Sequence, residues 1–542
     1  MCEAGEDYGD PAPEGPPPRP SPGQRCVKCK EELPVVVIRA GDAFCRGCFK
    51  ALYTHKFRAV LGKNRAIFPG EKVLLAWSGG PSSSSMVWQV FEGLSRDSAK
   101  RLRFVPGVVH VDEGAACGQS PEERAQTRTA TQRILQRLGF PWHAVALEEV
   151  LDLPPSVLRC SAREPPGAQG AYKAAVDTFL QQQRRGGTEA AGGSPAPAPE
   201  EEPQSPPPTH DPPAGAPTAA QTQALSKLFG SVRSLTAKEE LLQTLRTHLI
   251  LHVARAHGYA KVMTGESCTR LAIKLMTGLA LGRGAFLAWD TGFSDERHGD
   301  VVVLRPMREH TLKEVAFHNH LFKVPSVFTP AVDTRAPEKD SVHRLVEAFV
   351  LRLQARFPST VSTVYRTSEK LLKAPRDARA PLAPVPCCLL CSCPLDIDTA
   401  GSATAFGAQA AHLSRMQAEA PAATCACAGA AGLCGREEPG TCLMEQLCYS
   451  CRVTMKDVPS LEPLPPYILA EAQLRSQGEV PLLGCQESLP AGPSPPCASP
   501  GAGPAGPPCA CLLGDGQTEP DVARAEAAQG RGCGGKSGTA PS

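Results

Sequence analysis

Lys72-Val73-Leu74-Leu75-Ala76-Trp77-Ser78-Gly79-Gly80-Pro81-Ser82-Ser83 is the stretch on which the fold of this chain turns. An apolar run long enough for one buried strand ends in a Ser-Gly-Gly turn, and a helical segment follows over Ser84–Leu94. Glycines let the backbone approach an anion, and the N–H groups and dipole of the helix start point at it. Ser78, Gly79, Gly80, Ser82 and Ser83 are therefore candidate phosphate-binding residues. The spacing is not that of the Walker loop, which needs Gly-x4-Gly-Lys-[Ser/Thr].

Outward from this loop the sequence alternates strand-like and helix-like segments. Strands are expected over 104–112, 142–147, 261–264 and 301–304. Helices are expected over 121–138, 172–183, 237–257, 268–281, 312–321 and 341–357. That rhythm is the signature of an open, mostly parallel α/β sheet with crossover helices. Asp112-Glu113-Gly114, Thr264-Gly265-Glu266-Ser267 and Arg305-Pro306-Met307-Arg308 all fall at expected strand C-termini. Open sheets of this kind bind ligands along that rim.

The 542 residues leave room for two or three domains. Charged residues are 21% and the net charge is +2, which excludes a protein held on nucleic acid by overall charge. With 54 Pro, 49 Gly and 5% aromatics, much of the chain lacks the apolar content to pack. Disorder is expected at 1–23, in an insert at 186–222 and in a tail at 474–542. The expected sheet domain is therefore split, 61–185 and 223–375, between Cys-bearing units at 24–60 and 376–473. No apolar run reaches the roughly 18 residues of a membrane span, and the acidic, Pro-rich start is unlike a signal peptide. The expected setting is cytoplasmic and reducing, with the 23 cysteines as metal ligands or free thiols.

Cys26-x2-Cys29 and Cys45-x2-Cys48 are two knuckles that can complete a tetrahedral thiolate site for Zn2+. The plainer reading is four reduced, buried cysteines. Cys388-x2-Cys391 and Cys448-x2-Cys451 form a second candidate set, with Cys387 and Cys393 leaving its ligands ambiguous. Cys425, Cys427, Cys434, Cys442 and the tail cysteines read as free thiols.

Taken together, these motifs resemble the cytosolic tRNA-thiolation branch of the pyrophosphate-loop ATPase family, over roughly Cys26 to Cys451. The resemblance implies that fold and a role in 2-thiolation of the wobble uridine in tRNA for Lys, Glu and Gln. Its catalytic members adenylate the uridine with ATP and Mg2+, then replace the activated oxygen with sulfur from a thiocarboxylated ubiquitin-like carrier. This chain departs from them at the reacting centre. The loop's usual Asp is Ser82. A motif Thr-Gly-His-Asn-x-Asp-Asp is replaced by Thr264-Gly265-Glu266-Ser267-Cys268-Thr269-Arg270. No C-x2-C lies in the core, where Cys117, Cys160 and Cys268 stand singly. The implied role is a degenerate subunit beside a catalytic paralogue, with ATP and Mg2+ either at a degenerate site that includes Gly265 or supplied by the partner. Cys268 is readable as a sulfur-relay thiolate at a helix start or as a packing residue. Arg305 and Arg308 are readable as tRNA phosphate contacts or as a solvated pair, and His318 and His320 as surface or packing residues. Competing expectations are a sulfurtransferase active by itself and a zinc-stabilised scaffold unrelated to RNA.

Overall fold

A computed structural model describes residues 24–38, 42–95, 101–159, 176, 178, 217–357, 359–373, 387–395, 443–458 and 461–477. All lie in the unit Met1–Pro481; the second unit, Leu482–Ser542, lies outside the described residues.

A two-stranded ribbon, β1 (Val36–Val37) and β2 (Ala43–Phe44), precedes α1 (Arg46–Asn64). The sheet domain begins with β3 (Lys72–Ala76) and α2 (Pro81–Leu94), followed by β4 (Val105–Asp112), α3 (Pro121–Leu138) and β5 (Trp142–Ala146). Two helices, α4 (Ala219–Ser231) and α5 (Leu235–Ala256), lead to β6 (Lys261–Thr264) and α6 (Cys268–Ala280). Then come α7 (Leu287–Thr291), β7 (Ser294–Asp295), β8 (Val302–Leu304) and α8 (Leu312–Phe322). Helices α9 (Val342–Arg356), α10 (Thr360–Ser368), α11 (Tyr449–Lys456) and α12 (Pro466–Gln477) complete the described chain.

The six strands run β5-β4-β3-β6-β8-β7, parallel except for β7 on β8. Strand β3 is central and buried on both faces through Val73, Leu74 and Leu75, which is why it reads as an unbroken apolar run. The chain leaves β3 toward β4 on one side and returns through β6 on the other. The loops after β3 and β6 therefore meet at the switch point of the sheet.

Among the described residues, neither cysteine unit has a core of its own. Phe49, Tyr53 and Phe57 of α1 pack in one cluster with β3 and α2. Cys388, Leu389, Leu447 and Tyr467 pack with Leu225 and Leu228 of α4 and with α5. The structure also moves some expected boundaries. Helix α4 starts inside the expected insert, because Thr218 and Gln221 form a reciprocal capping box. Helix α12 runs past residue 474, held by buried Tyr467, Ile468, Glu471 and Ala472. Strand β7, two residues long, and α10 carry too little pattern to be read from sequence. Of the helix expected over 172–183 only 176 and 178 are described, both helical. Residues 1–23, 186–216 and 478–542 of the expected disordered stretches lie outside the described residues, as do Cys160, Cys425, Cys427, Cys434, Cys442 and the tail cysteines.

Candidate functional site: paired arginines at the sheet rim and two cysteine clusters

The two knuckle pairs close as their spacing predicts. Sγ atoms of Cys26, Cys29, Cys45 and Cys48 lie within 4.8 Å of one another, and so do those of Cys388, Cys391, Cys448 and Cys451. Cys29 and Cys45 are 3.9 Å apart, Cys391 and Cys448 3.5 Å. A tetrahedral thiolate site with metal–sulfur bonds of about 2.3 Å has sulfur–sulfur edges of ~3.8 Å, so both donor sets fit one ion. Each second knuckle opens a helix: Cys45 is the N-cap of α1 and Cys448 of α11. Cys393 drops out of the second set, because its sulfur takes a 2.8 Å hydrogen bond from Arg297 Nη1. Cys387 joins an isolated bridge with Pro394.

The Ser78–Ser83 loop is tightly tied to its surroundings. Gly79 has φ of +82°, a backbone state that L side chains avoid. Its carbonyl accepts from Val327 N at 2.9 Å and from Ser84 Oγ at 3.2 Å. A Cβ on Gly79 would lie 3.3 Å from Val327 Cβ. Ser78 N donates to Ser83 Oγ at 3.2 Å, and that hydroxyl donates to Gly80 O at 3.1 Å. Ser82 sits in the first turn of α2, whose leading residue, Pro81, has no N–H to offer an anion. Asn319 Nδ2 donates to Pro81 O at 2.8 Å. Gly265, from the loop after β6, presses on the same turn. A Cβ there would lie 2.6 Å from Ser83 Cα and 2.7 Å from Ser83 N. The structure thus brings Ser78, Gly79, Gly80, Ser82, Ser83 and Gly265 together.

Four acidic residues stand near the strand ends, and each faces a guanidinium. Asp112 Oδ2 accepts from Arg124 Nε at 3.1 Å. Glu113 is held bidentately by Arg246, with one contact at 2.8 Å. Glu266 accepts from Arg305 Nε at 2.6 Å and Lys274 Nζ at 3.0 Å. Asp295 is paired with Arg297 at 2.6 Å. Burial alone would raise Glu266, but Lys274 and Arg305 overcome it and bring its carboxyl to about 2. Burial likewise opposes ionisation of Asp295, and Arg297 pulls its pKa far below the ordinary value. Mg2+ needs carboxylate oxygens free to ligate. These four are committed to arginines, and the donor set does not fit the ion.

Two readings are corrected here, and the choice left open for Cys268 is decided. Arg305 is neither a phosphate contact nor solvated. It is 3% exposed, and its guanidinium also donates to the carbonyls of Trp289 at 2.9 Å and Gly292 at 3.0 Å. Arg308 is not a solvated partner to it: it pairs with Glu369 at 3.5 Å and lies 5.2 Å over the Tyr365 ring. Cys268 lies at a helix start as expected but is buried with Leu271, Ala272, Val350 and Tyr365. Burial, with Glu309 and Glu314 nearby, pushes its thiol up to about 12, so it stays protonated. The packing reading holds for His318 as well, stacked 4.1 Å from Tyr53 and bonded to Ser85 and Gln89. Sequence reasoning missed Arg124, Arg246 and Arg297. Each lies on an element other than the rim motifs or points inward, and nothing in the local pattern marks an arginine as buried.

A family profile described as cytoplasmic tRNA 2-thiolation protein 2 matches residues 341–453. The chain is 73% identical over 489 residues to the cytoplasmic tRNA 2-thiolation protein 2 of Bos taurus, covering 88% of this chain and 95% of that protein. Against the Homo sapiens protein of the same description the identity is 71%, covering 88% and 96%; against that of Danio rerio it is 46% over the same shares. Among solved structures, the U34-tRNA thiolase NcsA of Methanococcus maripaludis with its 4Fe-4S cluster aligns with 67% of this chain and 92% of its own, at 14% identity and a TM-score of 0.42.

Proposed function

This chain belongs to the cytoplasmic tRNA 2-thiolation protein 2 family, and from that premise we propose that it is a cytoplasmic, non-catalytic subunit in 2-thiolation of the wobble uridine of tRNA for Lys, Glu and Gln. In this reading it works beside a catalytic paralogue that supplies ATP, Mg2+ and the sulfur-handling groups. The paralogue takes sulfur from a thiocarboxylated ubiquitin-related carrier, and this chain aids assembly and tRNA binding.

The observation that carries the reading is the pairing of Asp112, Glu113, Glu266 and Asp295 with arginines. Adenylation needs a metal-bridged pyrophosphate and charge stabilisation of the leaving group. These four carboxylates, already neutralised, are not free to ligate a metal. The protonated, buried Cys268 supports the same reading, since sulfur transfer needs an accessible thiolate. The family membership leaves the scaffold unrelated to RNA without support. Both cysteine clusters, in this proposal, hold structural Zn2+: four sulfurs with no open position suit a closed zinc site.

The test is reconstitution with the paralogue. ATP–pyrophosphate exchange should be absent with this chain alone and present with the pair. Ser82→Ala in this chain should leave thiolation of tRNA unchanged, read by mass spectrometry of tRNA nucleosides. Exchange by this chain alone, or loss of thiolation with Ser82→Ala in an intact complex, refutes the non-catalytic role.

A further inference from the structure

Helix α9 turns Val346 and Val350 inward, onto the cluster that includes Leu271, Ala272 and Tyr365. Leu345, Phe349, Arg352 and Arg356 follow one another at helical spacing on a different stripe. Leu345 is 50% exposed and Phe349 47%. Phe357, just past the helix, is 61% exposed, and Leu372, beyond α10, is 91% exposed. A single exposed leucine needs no explanation, but a run of them on one helical hairpin marks an interaction face. Half of the large apolar residues that are exposed among the described ones fall within 341–453, the stretch matched by the family profile.

Charge narrows the occupant. Arg356, Arg366 and Lys370 are exposed on or beside the hairpin, where Arg352 pairs with Glu338. Its two acidic residues are already engaged, Glu347 with Arg270 and Glu369 with Arg308. A second copy of this chain would set cations against cations across a two-fold axis. An RNA would leave Leu345 and Leu372 against a polar, wet surface, whereas aliphatic residues ringed by charge suit the centre and rim of a protein interface.

We propose that the α9–α10 hairpin is the docking face for a different protein chain, whose matching surface has an apolar centre and an acidic rim. Resting on the function proposed above, that chain is the catalytic paralogue. Leu345 and Phe349 provide the desolvated centre, and Arg356, Arg366 and Lys370 steer the encounter.

The experiment uses the full chain and the purified full-length paralogue, with Kd and association rate measured by biolayer interferometry at two salt concentrations. Leu345→Asp with Phe349→Asp should weaken Kd on the order of 100-fold. Arg356→Glu with Arg366→Glu should slow association about 10-fold, most at low salt. Leu372→Asp, at a residue almost fully exposed, serves if the α9 pair fails to fold, and should weaken Kd severalfold. Wild-type affinity in folded variants overturns this face and leaves the proposed pairing intact. A wild-type chain that does not bind the paralogue overturns both. A change in the mass of the isolated chain with the α9 variants, or loss of tRNA affinity with paralogue binding unchanged, overturns the choice of occupant.

Discussion

Arg305→Ala separates a structural arginine from an RNA-binding one. The guanidinium is 3% exposed and satisfies four acceptors: Glu266, Asp295 and the carbonyls of Trp289 and Gly292. Removing it leaves Glu266 with Lys274 and the Thr264 hydroxyl, and takes one of two arginines from Asp295, which keeps Arg297. Breaking one partner of a buried pair costs about 3–5 kcal/mol. The remaining cations offset part of that, and two unsatisfied carbonyls add to it; about 3 kcal/mol is the expected loss. For a domain of this size each kcal/mol moves Tm by about 2–4 °C, so a fall of roughly 10 °C is expected. Differential scanning fluorimetry and urea unfolding of the full chain measure it, with filter-binding of tRNA alongside. Arg305→Lys should fall between, since one ammonium cannot reach both carbonyls and the Glu266 carboxylate in the same planar geometry. A wild-type Tm in Arg305→Ala together with weakened tRNA binding would refute the structural assignment.

Gly265→Ala should destabilise the loop junction by about 1–3 kcal/mol, because its Cβ meets the backbone of Ser83 rather than a movable side chain; a urea midpoint equal to wild type would contradict this close approach. Cys29→Ser should release one metal ion per chain and make the segment around α1 protease-sensitive; unchanged metal content by inductively coupled plasma mass spectrometry would count against the first cluster. Stability should fall on acidification. Burial lowers both His310 and His318 to about 4, so the unfolded chain takes up protons first, near 6.5. Their contribution is whole above pH 6.5 and is lost as pH drops toward 4, at about 1.4 kcal/mol per pH unit for each. Glu266 acts lower: its contribution is present above its unfolded pKa and is lost as pH falls toward 2. Urea midpoints at pH 7, 6 and 5 test the histidines, and a flat profile would contradict their neutral burial.

The mostly parallel α/β class was legible along the chain because each strand other than β7 is short, apolar and followed by a turn. Val73-Leu74-Leu75 had to be buried on both faces whatever packs around it. The cysteine spacings carried equal weight, since C-x2-C geometry is local and two knuckles need only meet. The positions of Ser78–Ser83 and Gly265 at a shared switch point followed from topology. Tertiary structure decided what those residues touch. Arg305 looks the same in sequence whether it reaches for a phosphate or for Glu266, because ion pairing is set by contacts tens of residues away. Cys268 sits at a helix start in either reading, and burial beneath α9 and α10, with Glu309 and Glu314 nearby, holds its proton. Cys393 was indistinguishable from a metal ligand until Arg297 was found beside its sulfur. Covalent neighbours determine strands, turns and knuckles, which are local in energy. Charge neutralisation and desolvation depend on distant groups and on the low dielectric of the packed interior, so they exist only once the chain has folded.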